Sequence, residues 1–309
     1  MNFLGALPAR FRRERVLIIG CGDVGQRAAR VLGGGQRARL LALTSSADRL
    51  DGLRAQGITP LLGNLDDARS LSRLAGLATR VLHLAPPPSL GLRAEKQDPR
   101  TRALLCALKR RSLPGTLVYG STSGVYGDRQ GQWVDETAAL MPQTARAWRR
   151  MDAEASVHRF GRITGVRTSV LRIPGIYAPD REGGTPLARL QRATPVLRDE
   201  DDVYTNHIHA DDLARACAKA LWCARPQRTL NVCDDTEMKM GAYFDFAADL
   251  YGLPHPPRVG RAEAAEQLPA MALSFMSESR RLRNARMKRE LRMVLRYPTV
   301  AEGLRADRT

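Results

Sequence analysis

The 309-residue chain is 43% hydrophobic, which excludes a disordered or fibrous protein and allows one large domain or two closely joined ones. Its longest apolar runs fall far short of the roughly 18–20 residues that span a bilayer, so no membrane partner is expected and a cytoplasmic location is. The net charge of +17, from 49 basic against 32 acidic residues, keeps a polyanion-binding surface open as a function class.

The opening stretch MNFLGALPARFRRER puts a short apolar patch before its charges, the reverse of a secretory signal. It is expected to be a disordered or loosely packed lead-in. RVLIIG (15–20) then reads as a buried strand, and VGQRAARVL (24–32) as a helix stopped by glycines 33–35. ARLLALT (38–44) is the second strand. SADRLDGLRAQG (46–57) fits a helix capped by Ser46 and ended by Gly57. A short strand at TPLLGN (59–64), a helix at DDARSLSRLAG (66–76), a strand at TRVLHLA (79–85), a helix at DPRTRALLCALKRR (98–111) and a strand at GTLVYG (115–120) follow. Continuous apolar strands alternating with helices predict a parallel sheet covered on both faces, with right-handed connections.

The second half is less regular. A helix is expected at about 143–161, a strand at GVRTSVLRI (165–173), a helix at DDLARACAKALWCA (211–224) and a strand at RTLNVC (228–233). Beyond Cys233 the pattern is helical with proline-rich breaks, as in YGLPHPPRVG (251–260). The expected fold class is therefore α/β: a Rossmann-type, doubly wound parallel sheet with a smaller, mainly helical substrate lobe. The sheet domain is assigned to 14–172, with 203–233 returning to it, and the lobe to 173–202 and 234–309. A monomer or homodimer is expected.

Five cysteines, Cys21, Cys106, Cys217, Cys223 and Cys233, are odd in number and lack CxxC spacing. That argues against a disulfide framework or a zinc site and for a reducing compartment, with each cysteine a small buried hydrophobe. The arginines are spread along the whole chain, with local clusters at 10–15, 109–111 and 280–292 that lack interleaved aromatics. No specific nucleic-acid partner is expected.

IIGCGDVG supplies Gly20-x-Gly22-x-x-Gly25 between the first strand and the first helix. In that context the pattern predicts a dinucleotide site. Gly20 allows the tight turn, Gly22 lets backbone approach a pyrophosphate, and Gly25 lets helix and strand pack closely. Asp23 and Val24 belong to the same turn, and the helix N-terminus faces the phosphates. An NAD site wants an acid at the end of the second strand for the ribose 2′-OH. Here that place reads Thr44-Ser45-Ser46, with Arg49 nearby, which favours NADP, with NAD as the alternative. LAPPPS (84–89) ends the fourth strand at the ligand edge of the sheet, so backbone near Ala85 and Pro86 is expected to line the cofactor.

STSGVYG (121–127), after the fifth strand, resembles the extended and atypical short-chain dehydrogenase/reductase superfamily, in particular its NAD-dependent epimerase/dehydratase branch. GVYGDRQGQWVDET resembles that branch's VYG…DE segment, LRIPGIYAP (171–179) its RxxxxYGP element with Ala178 for a glycine, NHIHADDLARA (206–216) its IHxxDLA segment, and YPTVAEGL (297–304) its C-terminal end. The resemblance implies an oxidoreductase or epimerase acting on a small hydroxyl or carbonyl compound such as a nucleotide sugar. It also implies that a Ser or Thr hydroxyl holds the substrate oxygen while a YxxxK pair supplies the proton-transfer tyrosine and its lysine.

Thr122 falls on the hydroxyl position. In ARAWRRMDAE (145–154), Arg146 stands where the tyrosine belongs and Arg150 where the lysine belongs. Arginine stays protonated and is a poor proton shuttle, but it stabilises an oxyanion as a fixed charge. Four residues apart on one helix face, both arginines can address the cofactor; the plainer reading is a solvated helix face. The glycine pattern also departs from the superfamily's usual GxxGxxG. Of the phenols, Tyr126 is expected to pack in the turn, and Tyr177 is the candidate for the substrate cleft. His207 and His209 form an HxH pair without a third ligand, so no metal site is expected, and His209 with Asp211 is expected to fix the start of the next helix. His83 reads as a core residue. Two rivals remain: a non-catalytic NADP-binding sensor, favoured by the missing Tyr–Lys pair, and a nucleic-acid-associated protein, favoured by charge alone.

Overall fold

The computed structural model describes residues 13–34, 38–88 and 96–306. The lead-in through residue 12, Gly35 of the glycine stop and Ser89 lie outside the described residues. The first part of the chain runs β1 (Glu14–Ile19), α1 (Asp23–Gly33), β2 (Ala38–Thr44), α2 (Leu50–Ala55), β3 (Thr59–Leu62), β4 (Arg80–His83), α3 (Pro99–Leu108) and β5 (Thr116–Thr122). After β6 (Trp133–Val134) come α4 (Ala145–Thr164), β7 (Arg167–Ile173), β8 (Gly175–Tyr177), α5 (Leu187–Gln191), β9 (Val196–Leu197), β10 (Tyr204–Thr205), β11 (His207–His209), α6 (Ala210–Cys223) and β12 (Arg228–Asn231). The remainder holds β13 (Met238–Lys239), α7 (Met240–Tyr251), β14 (Arg258–Val259), α8 (Arg261–Gln267), α9 (Ala270–Met276), β15 (Arg281–Leu282), α10 (Ala285–Glu290) and α11 (Val300–Arg305).

Seven parallel strands form the central sheet in the order β12-β7-β5-β4-β1-β2-β3. This is the expected Rossmann-type architecture. Alternate residues of β1 serve opposite faces: Val16 and Ile18 pack with Ala28, Leu213 and Cys217, whereas Leu17 and Ile19 pack with Leu104, Val157 and Phe160. A strand buried on both sides has to be apolar at every position, which is why its sequence shows no alternation. The chain reverses direction across the sheet between β1 and β4, and that switch point opens a crevice at the strands' carboxyl ends.

A smaller cluster lies beyond the sheet: Tyr177, Leu190, Val196, Tyr243, Phe244, Val300 and Leu304. Short strand pairs, β8–β11, β10–β13, β9–β14 and β6–β15, stitch these segments together. Met287, Leu291, Met293 and Leu295, in the stretch assigned by sequence to the lobe, pack instead against α6 under the sheet.

Several local expectations are corrected. Residues 66–76 form turns and a single 3₁₀ segment at Ser72–Leu74, not a helix. Polar side chains claim the backbone there: Asn64 Oδ1 accepts from Asp66 N, Asp67 Oδ1 from Arg69 N, and Ser70 Oγ donates to the Asn64 and Asp67 carbonyls. The 46–57 segment is a 3₁₀ turn at Ala47–Arg49 running into the short α2, and Ser46 makes no side-chain cap. β5 extends through Ser121 and Thr122, because pairing with β7 continues to Ile173. Cys21, Cys217 and Cys233 are buried as expected, but Cys106 on α3 and Cys223 at the end of α6 are exposed.

Candidate functional site

The glycine turn ends β1 in the crevice. Gly20 has φ +86°, and a Cβ there would lie 2.4 Å from the Ala85 nitrogen. A Cβ on Gly25 would lie 2.9 Å from the Gly20 carbonyl oxygen, the close helix–strand approach. Gly22 is different: a Cβ there would meet nothing within 4 Å. No packing constraint explains its missing side chain. The space it leaves faces the start of α1, where Gly22 offers no side-chain cap and the first N–H groups stay available to an anion.

A cleft of about 440 Å³ gathers Gly20, Gly22, Asp23, Val24, Gly25, Thr44, Ser45, Arg49, Ala85 and Pro86, together with Asn64, Arg100 and Arg181. Every residue expected at a cofactor therefore lines one space. Arg49 reaches back across it to donate to the Cys21 carbonyl. Thr44 Oγ1 accepts from Ser46 N at 3.3 Å, so the end of β2 is closed by hydroxyl and backbone groups without a carboxylate. Asp23, whose charge opposes a phosphate, is paired with Arg27 at 2.9 Å and with Arg181 at 3.1 Å. Arg27 is itself buried and holds Asp180 and Asp211, each at 2.7 Å. This cluster fastens α1, α6 and the segment after β8 around the crevice.

A second pocket, about 230 Å³, contains Thr122, Arg146 and Arg150 together. It shares Val24 and Leu84 with the first cleft, so the two adjoin. Thr122 Oγ1 caps the following 3₁₀ turn by accepting from Gly124 N at 3.2 Å. Arg150 is tied to β5: its Nη1 donates to the Gly120 carbonyl at 2.5 Å and to Tyr119 OH at 3.1 Å. Arg146 stacks over Phe275 at 5.1 Å from the ring centre. Its pKa is lowered by loss of solvent and by Arg150, with Glu278 opposing. Arg150 is therefore tied to the strand end, whereas Arg146 is exposed on its helix and touches the wall through Phe275.

A third cavity, about 330 Å³, lies between the sheet and the smaller cluster, and Pro174 and Ile176 line both it and the Thr122 pocket. Ser123, Tyr177, Arg189, His207, Tyr243, Phe244, Phe275, Glu278 and Arg280 are in its wall. Tyr177 lines it, but its hydroxyl is committed to the Thr299 carbonyl at 3.1 Å.

The other candidates are structural. Ser121 donates to Glu154, which pairs with Arg172 at 2.8 Å; Arg172 and Asn231 then hold Tyr126 OH. This buried chain links β5, α4, β7 and β12, and it explains why Tyr126 packs in the turn. His83 bonds Thr101 at 2.9 Å, and burial pushes its pKa down to about 3. His209 Nδ1 accepts from Asp211 N at 3.2 Å, capping α6 as expected. Among the described residues no group of His, Cys, Asp or Glu is arranged to hold a metal ion. No helix of the described residues is long and apolar enough to cross a membrane. Asn64, Arg100, Arg181, Arg189 and Glu278 are cleft residues that carried no motif in the sequence; only tertiary folding brings them there.

A model of the NAD dependent epimerase/dehydratase family matches residues 16–233. No curated protein matches. Among solved structures, a functionally unknown conserved protein from Silicibacter pomeroyi is 31% identical, with 95% of this chain and 97% of that one covered and a TM-score of 0.76. A UDP-glucose 4-epimerase with UDP-glucose from Thermotoga maritima (17% identity, 94% and 96% covered, TM-score 0.76) and a UDP-glucuronic acid 4-epimerase from Bacillus cereus in complex with NAD (16%, 94% and 96%, 0.74) share the fold.

Proposed function

The chain belongs to the NAD dependent epimerase/dehydratase family, and we propose that it binds a nicotinamide dinucleotide, NADP in preference to NAD, and acts as an oxidoreductase or epimerase at a hydroxyl or carbonyl carbon of a small polar molecule. The observation that carries this reading is the adjoining of two spaces, the glycine-turn cleft and the pocket of Thr122, Arg146 and Arg150. The bare face of Gly22 and the uncapped start of α1 fit a pyrophosphate. Thr44, Ser45 and Arg49 fit a 2′-phosphate better than a 2′-hydroxyl, since no carboxylate ends β2.

The dinucleotide supplies hydride chemistry when bound. The chain's contribution is positioning and charge. Thr122 keeps its hydroxyl proton free of partners among the described residues and would donate it to a substrate oxygen. Arg146 would stabilise negative charge developing on that oxygen, while Arg150 braces the strand end through Gly120. A second reading, a dinucleotide-binding sensor without turnover, is favoured by that commitment of Arg150 to backbone. Calorimetric titration with NADPH and NADH tests the binding, and a carbonyl-substrate screen at the nicotinamide absorbance separates enzyme from sensor. NADPH is expected to bind more tightly. If neither dinucleotide binds at millimolar concentration the reading is wrong, and if NADH binds more tightly only the Thr44–Arg49 argument fails.

A further inference from the structure

Arg189 stands in a cavity wall with part of its guanidinium buried and no acceptor for it among the described residues. Its guanidinium lies 4.4 Å from the Phe244 ring centre, and it makes no hydrogen bond or ion pair among the described residues; its Nη2 is buried and unpartnered. The N–H donors of that buried Nη2, withdrawn from water without an acceptor, are costly unless a ligand completes them. Arg280, 9% exposed, also leaves its Nε unpartnered while Nη1 holds Glu278 at 2.8 Å. Both arginines line the third cavity.

We infer that this cavity takes a small organic acid with a flat apolar body, its carboxylate seated on Arg189 and its body against Tyr243, Phe244 and Phe275. The charges of the lining decide the class. Arg280 and Glu278 offset each other, which leaves Arg189 as one net positive charge for one negative charge on the ligand. Burial keeps the neighbouring His207 neutral, with its pKa pushed down to about 4. A diphosphate would bring a second negative charge that the charged side chains of this lining, Arg189, Arg280 and Glu278, do not balance, and Arg146, over Phe275, belongs to the Thr122 pocket. The aromatic wall suits a planar or apolar body better than a hydroxyl-rich sugar. Ser123, next along the chain from Thr122, lies in the same wall. Pro174 and Ile176 adjoin the Thr122 pocket, so the acid is anchored away from the strand end where the oxygen of a carbonyl group would be handled. That last step rests on the dinucleotide reading above; the acid site itself does not.

The test is calorimetric titration of phenylpyruvate, phenyl phosphate and UDP-glucose into the protein, with and without saturating NADPH. Phenylpyruvate is expected to bind most tightly. Arg189→Met, which keeps contact with Phe244 but has no charge, should weaken it on the order of 10–100-fold, the scale of a charged hydrogen-bonded contact, and Arg189→Lys should restore part of the loss. NADPH affinity should be the same in both variants, which shows that they are folded. Failure of phenylpyruvate to bind, equal affinity in Arg189→Met, or tighter binding of phenyl phosphate or UDP-glucose overturns the proposal. Acid binding without NADPH binding would overturn the dinucleotide reading and leave the acid site standing; NADPH binding without acid binding would do the reverse.

Discussion

Gly20, Gly22 and Gly25 look alike in the sequence and do different work in the structure. Two are required by packing, since a Cβ on either meets backbone closer than 3.0 Å. Gly22 is required by nothing inside the chain, so a substitution there isolates binding from folding. Gly22→Asp should leave the melting temperature within about 2 °C of the parent, no more than the shift that a defect of about 1 kcal/mol gives in a chain of this size, and should abolish NADPH binding by setting bulk and negative charge against the pyrophosphate. Retained affinity in calorimetry would remove the glycine turn from the site. Asp234 carries a separate prediction. It is buried with Oδ2 unpartnered, and burial, reinforced by Asp235 and Asp212, pushes its pKa up to about 8. A carboxyl whose folded pKa lies above its unfolded value of about 4 stabilises the fold in its protonated form, and that stability is lost as pH rises through the folded value. Asp234→Asn keeps the Oδ1 acceptor for Thr236 N and cannot ionise. Its melting temperature should match the parent near pH 4 and exceed it by a margin that widens toward pH 8. A margin independent of pH would show that ionisation of Asp234 is not involved. The glycine turn was legible in the sequence because its spacing follows from one local turn. Asp234, Arg181 and Arg189 were not, because their roles depend on which distant groups meet them, as Asp23 meets Arg181, or fail to.

At the scale of elements, the unit that matters is the end of β5, its 3₁₀ turn and the head of α4. The strand was legible as an apolar run, but its last two residues were not, since Ser121 and Thr122 are polar and only pairing with β7 keeps them in the sheet. The opposite error occurred at 66–76, where helical spacing of leucines was overridden by Asn64, Asp67 and Ser70 bonding the local backbone. Thr122 both caps the turn and faces the pocket, so its replacement needs a control. Thr122→Val should lower turnover by about 10²–10³, the usual effect of losing one preorganised donor, with NADPH affinity nearly unchanged. Thr122→Ser retains the oxygen and should recover most of the rate. If Val and Ser variants are equally slow, the defect is structural and the catalytic assignment falls. Arg150 braces the same unit through Gly120 and Tyr119, so Arg146→Tyr with Arg150→Lys replaces two fixed charges by the family's usual proton-transfer pair. If the arginines act, this double variant should lose the native activity. A variant that keeps full native turnover would mean that the arginines are bystanders.

At the scale of the whole molecule, the charge of +17 has to be weighed by where it resides. Not every arginine behind it is free at the surface, and one paired with a carboxylate adds nothing to the excess. Arg27, Arg172 and Arg280 are buried and each is paired with a carboxylate. Two further arginines, Arg146 and Arg150, line the pocket at the end of β5. The buried three hold elements together and cannot follow a phosphate backbone, and Arg150 is committed to the Gly120 carbonyl. Lys288 is the only lysine among the described ion pairs, and it too is taken, by Asp235 at 2.6 Å. We expect the rest to form a diffuse arginine-rich surface that would attract polyanions without reading them. Binding to a short duplex DNA or single-stranded RNA should therefore be weak, alike for unrelated sequences, and lost steeply with salt. For six or more phosphate contacts the affinity should fall on the order of 10³-fold or more between about 50 and 200 mM salt, because the driving force is release of condensed counterions. Filter binding across a salt series with two unrelated sequences measures both properties at once. Tight binding that persists at physiological salt and distinguishes the two sequences would show a built nucleic-acid surface, and the excess charge would then have a function outside the crevice.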